Sequence, residues 1–162
     1  MRSIPHSTRA VLTGEKPRQW RRVLVIGFGP AGQAVVWGLQ AKDIPFLVLE
    51  TNPNTVAGAR IEFPIELGDA TQPEVLQHAG VGASIAVVVT VPDPNACRLI
   101  VAAVQRLAPG VPILARLRYH QYFSDLRQAG ADHIVDEEET VGLHLAGEAI
   151  ELATGRKVVS PL

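Results

Sequence analysis

Gly27, Gly29 and Gly32 stand in the spacing G-x-G-x-x-G, with Phe28, Pro30 and Ala31 between them. Glycines so spaced let a chain turn sharply, bring its backbone against a phosphate and pack the following helix close to a strand. The free N–H groups and positive dipole end of that helix then attract an anion. Pro30 offers no N–H, but at the first helical position that donor has no intrahelical acceptor anyway. Glu50 follows Gly27 by 23 residues, near the offset at which a carboxylate accepts hydrogen bonds from ribose hydroxyls. No Arg or Lys occurs at 51–55 to meet a 2′-phosphate, so the pattern favours NAD or a plain adenine nucleotide over NADP. The bland alternative is a glycine turn kept for packing alone.

Other groups could complete such a site. Asp69 and Ala70, in Gly68-Asp69-Ala70-Thr71, and Thr90 and Val91, before Pro92-Asp93-Pro94-Asn95, fall after strand-like runs. Asp93 reads equally as a helix cap. The five histidines show no metal-ligand spacing, and His78 and His133 read as local hydrogen-bonding residues beside turns. Cys97 lies among Ala96, Leu99, Ile100 and Val101 and reads as a small hydrophobe rather than a nucleophile paired with His120. No metal site is expected. The run Asp136-Glu137-Glu138-Glu139 suits the start of a helix, with a cation or partner contact as the sharper reading. Trp20 and Trp37 are expected to pack.

The elements that must position these groups alternate along the chain. Short apolar runs at 22–26, 46–49, 63–67, 85–90, 112–115 and 131–135 read as strands. Between and after them, helical patterns cover 31–41, a start at Asn52-Pro53-Asn54, 73–80, 94–107, 119–129 and 138–152. Thr71-Gln72-Pro73-Glu74 has the form of a capping box, and Pro64 suits an edge strand. Six alternations with near-continuous apolar strands predict an α/β fold: a doubly wound, parallel, six-stranded Rossmann-like sheet in order 3-2-1-4-5-6, covered on both faces.

Composition narrows the function. The 162 residues are 47% hydrophobic and 19% charged, with one cysteine, so no intrachain disulfide can form. The longest apolar run, 85–91, is too short to span a bilayer. Residues 1–22 carry six basic residues against one acid, and 132–162 carry seven acids against two basic residues. The basic arm reads as a solvated leader or as a contact for an anionic partner. No basic patch is interleaved with aromatics, which argues against nucleic-acid binding. An NAD-dependent oxidoreductase is the alternative function, opposed by the lack of a second domain for its substrate. A ligand-free dimerisation module is a third.

The ordered segments VLVIGFGPAG, LVLE, LGDAT, VLQHAGV, VVVTVPDPNA, ILARL and GADHIV resemble the nucleotide-binding lobe of RCK (KTN, TrkA-N) domains from Arg22 to Ile150. They are most similar to the C-terminal cytosolic domain of Kef-type monovalent cation:proton antiporters. The resemblance implies a regulatory domain, not an enzyme, that binds AMP or NAD(H), with ATP or ADP in relatives. It further implies a homodimer of lobes controlling a membrane-embedded potassium or cation transporter from the cytoplasmic face of a bacterial inner membrane. By position, Gly27 to Ala31 would hold phosphate, Glu50 ribose, and Asp69 and Ala70 with their neighbours adenine, with Gly32 and Thr51 also counted among the nucleotide-binding residues. Thr90 and Val91 would line the near side. Arg116 would approach phosphate or the partner lobe, unless it caps a helix or pairs with Asp93. The implied domains are a leader or linker over 1–21, the lobe over 22–152 and a tail over 153–162, with no second lobe. Pro30 replaces an Arg common in the family, which weakens the expectation of triphosphate binding.

Overall fold

Val23–Ile26 forms β1, four buried residues at the middle of a parallel sheet. The computed structural model describes residues 21–156. Almost all of the expected leader, including Trp20, and the end of the expected tail lie outside the described residues.

The remaining strands are β2 (Phe46–Glu50), β3 (Ile65–Leu67), β4 (Ala86–Val89), β5 (Ile113–Leu117) and β6 (His133–Asp136). The helices are α1 (Pro30–Gln40), α2 (Pro53–Ala59), α3 (Pro73–His78), α4 (Pro94–Leu107), α5 (Phe123–Ala129) and α6 (Glu137–Thr154). All strand pairs are parallel, in the order β3-β2-β1-β4-β5-β6, as the alternating pattern predicts.

Side-chain alternation divides the core into two. Leu24, Ile26, Val87, Val89 and Ala115 join Leu76 of α3, Ile100, Val101 and Val104 of α4 and Leu126 of α5 on one face. Val23, Val25 and Val48 join Val36 of α1 and Val56 of α2 on the other. That second face is covered less completely than expected among the described residues. Along β4 and β5, Ala86, Val88, Leu114 and Arg116 are only half-buried, and Val135 of β6 is exposed. Helix α6 buries none of its residues.

Helix starts follow local chemistry. The Asn52 side chain accepts from the N–H groups of Asn54 (2.9 Å) and Thr55 (3.3 Å), and Asp93 accepts from Ala96 N–H at 2.7 Å. Asp93 is therefore a cap, one of its two expected readings. The expected capping box at Thr71 does not form. Gln72 occupies the cap position of α3 without a side-chain bond, because the Thr71 hydroxyl donates to Asp69 instead, at 2.7 Å. Trp37 also departs from expectation: it is 56% exposed on α1, turned away from the side that buries Gly32 and Val36.

Candidate functional site

The register sets Ile26 beside Leu49 and Val89, Glu50 beside Leu67, and Val89 beside Ala115. Residues that directly follow these strands share one edge of the sheet, where the order reverses between β1 and β4. Open α/β sheets bind ligands at this switch point. A cleft of about 380 Å³ opens there, lined by Gly27, Gly29, Pro30, Glu50, Thr51, Asp69, Ala70, Thr90, Val91 and Arg116 among others. That volume is within the usual range for a small-molecule site.

The expected residues Phe28, Ala31 and Gly32 are not in the lining. The Phe28 ring is buried and packs against Phe63 with centroids 5.5 Å apart. Ala31 and Gly32 belong to the first turn of α1, where N–H groups lack a carbonyl one turn back. The three glycines play different parts. Gly27 has φ +97° and a Cβ there would stand 2.8 Å from Thr90 Oγ1. A Cβ on Gly32 would lie 2.1 Å from the Gly27 carbonyl oxygen. A Cβ on Gly29 would meet nothing within 4 Å. Packing accounts for the first two, and Gly29 leaves open space at the cleft wall.

Glu50 is fixed in place. Its Oε2 accepts from Phe28 N–H and its Oε1 from Asn52 N–H, both at 2.8 Å, with the Thr51 hydroxyl at 3.3 Å. A carboxylate has about four lone-pair sites, so capacity to accept a hydroxyl remains. Asp69 Oδ1 accepts from Thr71 N–H (2.9 Å) and its hydroxyl, and these bonds, chiefly the hydroxyl's, hold its carboxyl below the usual range. Buried Thr90 donates its hydroxyl to Ile26 O at 2.9 Å, tying β4 to the start of the glycine turn.

Arg116 does not pair with Asp93. Its Nη1 donates to Thr90 O at 3.2 Å and its Nε pairs with Glu137, at the start of α6. Asp136 caps α6 through Glu138 and Glu139 N–H and pairs with His120; Glu138 accepts from His120 N–H at 2.8 Å. Asp136, Glu137 and Glu138 of the acidic run thus have individual partners beyond the helix dipole, and no group of three metal-binding side chains occurs among the described residues. The His120–Asp136 hydrogen bond, followed by the carboxylate's charge, raises the His120 pKa. For Asp136, burial pushes the pKa up, but His120 and the cap N–H groups outweigh it and the net shift is downward. Cys97 is buried, with Sγ 3.7 Å from Arg116 O, and burial pushes its thiol up to about 11. It is packed as a hydrophobe, as expected. His78 and His133 make no side-chain hydrogen bond among the described residues.

Sequence reasoning missed Pro92, Ala96 and Ile100, which complete the apolar side of the cleft. The four-residue spacing of Ala96 and Ile100 on α4 carried that signal. It also missed the pairing of Glu137 with Arg116, because the acidic run by itself reads as a helix start or as a cation or partner contact.

A parallel sheet of this order with a glycine turn and a carboxylate at the end of β2 defines a Rossmann-like nucleotide-binding class. The family described as TrkA-N domain matches residues 23–137, and the chain belongs to that family. It is 30% identical over 151 residues to K(+) efflux antiporter 1, chloroplastic, of Arabidopsis thaliana, covering 91% of this chain and 13% of that protein. It is 28% identical over 131 residues to a protein named KefB from Alkalimonas amylolytica, covering 80% of this chain and 20% of that one. The chain thus spans a fifth or less of these curated relatives. Among solved structures, the TrkA-N domain of the Escherichia coli inner membrane protein ybaL superimposes with a TM-score of 0.73 at 28% identity, over 82% of this chain and 96% of that one. The Shewanella denitrificans Kef CTD, in AMP-bound form, shares the fold with a TM-score of 0.73 at 23% identity, over 83% and 82% of the two chains. No helix among the described residues is long and apolar enough to cross a membrane.

Proposed function

We propose that this TrkA-N domain is a regulatory, non-catalytic module that binds an adenine nucleotide, AMP or NAD(H) ahead of ATP or ADP, and controls a potassium or cation:proton transporter. The observation that carries the reading is the cleft itself. The start of α1 at Pro30, the open space at Gly29 and the Glu50 carboxylate converge on one edge of the sheet. In this reading the first turn of α1 takes phosphate, Glu50 takes ribose, and Asp69, Ala70 and Thr71 meet the base. Residues 22–152 form the lobe, 1–21 a leader or linker, and 153–162 a tail. The relation to potassium efflux antiporters supports a membrane-embedded cation transporter as partner and a place at its cytosolic face.

The lobe works as a homodimer. Val141, Leu143, Leu145, Ile150 and Leu152 leave much of the apolar surface of α6 exposed, and a second copy would cover it. Ligand binding that favours one arrangement of two lobes would bias the ion pathway by its differential affinity for the two arrangements. Titration calorimetry with AMP and NADH is expected to give binding that falls at least tenfold in Gly29→Val and in Glu50→Ala. Undiminished binding in both variants refutes the proposal.

A further inference from the structure

Arg116 is the single basic side chain lining the cleft among the described residues, beside the carboxylates Glu50 and Asp69. It does not hang free. One guanidinium nitrogen is held by Thr90 O at 3.2 Å and another by the Glu137 carboxylate. Glu137 is outside the cleft lining. It reaches Arg116 because β5 and β6 run in parallel with Arg116 opposite Val135, which brings the first residue of α6 alongside. Neighbouring carboxylates do not take its place: Asp136 is bound to His120 and the α6 cap, and Glu138 to His120 N–H.

We infer that Glu137 determines which phosphate chain the cleft accepts, by holding Arg116 and neutralising it. The inference rests on the adenine-nucleotide reading above. A monophosphate, or the diester phosphates of a dinucleotide, is served by the N–H groups at the start of α1. The second and third phosphates of ATP add charge beyond their reach and need a cation. The one cation in the lining is already committed, in a cleft whose other charged groups are negative. Arg116 freed from Glu137 would present a planar fork of donors to that added charge. Glu137 is thus a positioning residue that acts through Arg116.

Calorimetry at fixed ionic strength with AMP, NADH and ATP tests this on the full chain carrying Glu137→Gln, Glu137→Ala, Arg116→Gln, or Glu137→Gln with Arg116→Gln. Both Glu137 variants are expected to raise ATP affinity relative to AMP by about tenfold, the scale of one charge-assisted contact. In the Arg116→Gln background the Glu137→Gln shift disappears. If Glu137 merely stabilises the start of α6, its replacement lowers the melting temperature and leaves the ATP-to-AMP ratio unchanged, which overturns the inference. A shift that persists without Arg116 also overturns it. Failure of the parent reading is separate: the unsubstituted chain then binds none of the three nucleotides, and the inference falls with it.

Discussion

Valine placed at Gly29 and at Gly32 separates the roles of two glycines in one motif. At Gly32 the added Cβ would lie 2.1 Å from the Gly27 carbonyl oxygen and 3.1 Å from Thr90 Oγ1. Ordinary contact requires the backbone of α1 to retreat from the end of β1 by about 1 Å. Overpacking against backbone costs about 3 kcal/mol, at the upper end of its usual range. Valine's better helix propensity returns only about 0.4 kcal/mol. At Gly29 the added Cβ meets nothing within 4 Å, and φ is −71°, which valine adopts without strain. The remaining cost is the poorer cap residue, about 1 kcal/mol. For a domain of this size each kcal/mol moves Tm by roughly 2–4 °C. Gly32→Val is therefore expected to lower Tm by about 5–10 °C and Gly29→Val by about 2–4 °C. Thermal melting by circular dichroism, paired with AMP calorimetry, reads both consequences: Gly29→Val loses binding while keeping most of its stability. Equal Tm losses, or a Gly32→Val protein as stable as the unsubstituted chain, would refute the division of roles.

The His120–Asp136 pair gives a signed pH dependence. His120 has a raised pKa when folded, so its contribution is complete below the ordinary histidine value near 6.5 and is lost as pH rises through the folded value. The Tm gap between the unsubstituted chain and His120→Ala is expected to shrink from pH 6 to pH 9; a gap that widens contradicts the geometry. Cys97, buried with its thiol pushed up to about 11, is expected to resist alkylation at pH 7.5 and to react fully in denaturant, because the thiolate is the reactive species. Rapid stoichiometric labelling of the native protein, followed by mass spectrometry, would show the packing to be wrong.

Much of the architecture is legible because its signals are local. Apolar runs, the Asn52 and Asp93 caps and the glycine turn are each written within a few neighbouring residues. Parallel-crossover rules then leave few sheet orders, and the observed one is among them. Thr71 shows the limit of local reading. Its capping pattern competes with a hydrogen bond to Asp69 two residues away, and the latter wins. Trp37 shows another: aromatic composition predicts burial, but its position on α1 turns the ring toward solvent.

The amino-acid sequence by itself determined the alternation of strands and helices, the glycine turn and the carboxylate that ends β2. Each depends on interactions over one or two turns of chain. Tertiary structure alone decided that Thr90 fastens Ile26 across 64 residues and that Arg116 is held by Glu137 across 21. It also decided which glycine is filled by packing and which leaves space at the cleft. Those outcomes depend on strand register and on how the sheet brings the ends of distant strands to one edge. Side-chain partners at such separations are chosen by the assembled fold, because no local pattern specifies the distance between them.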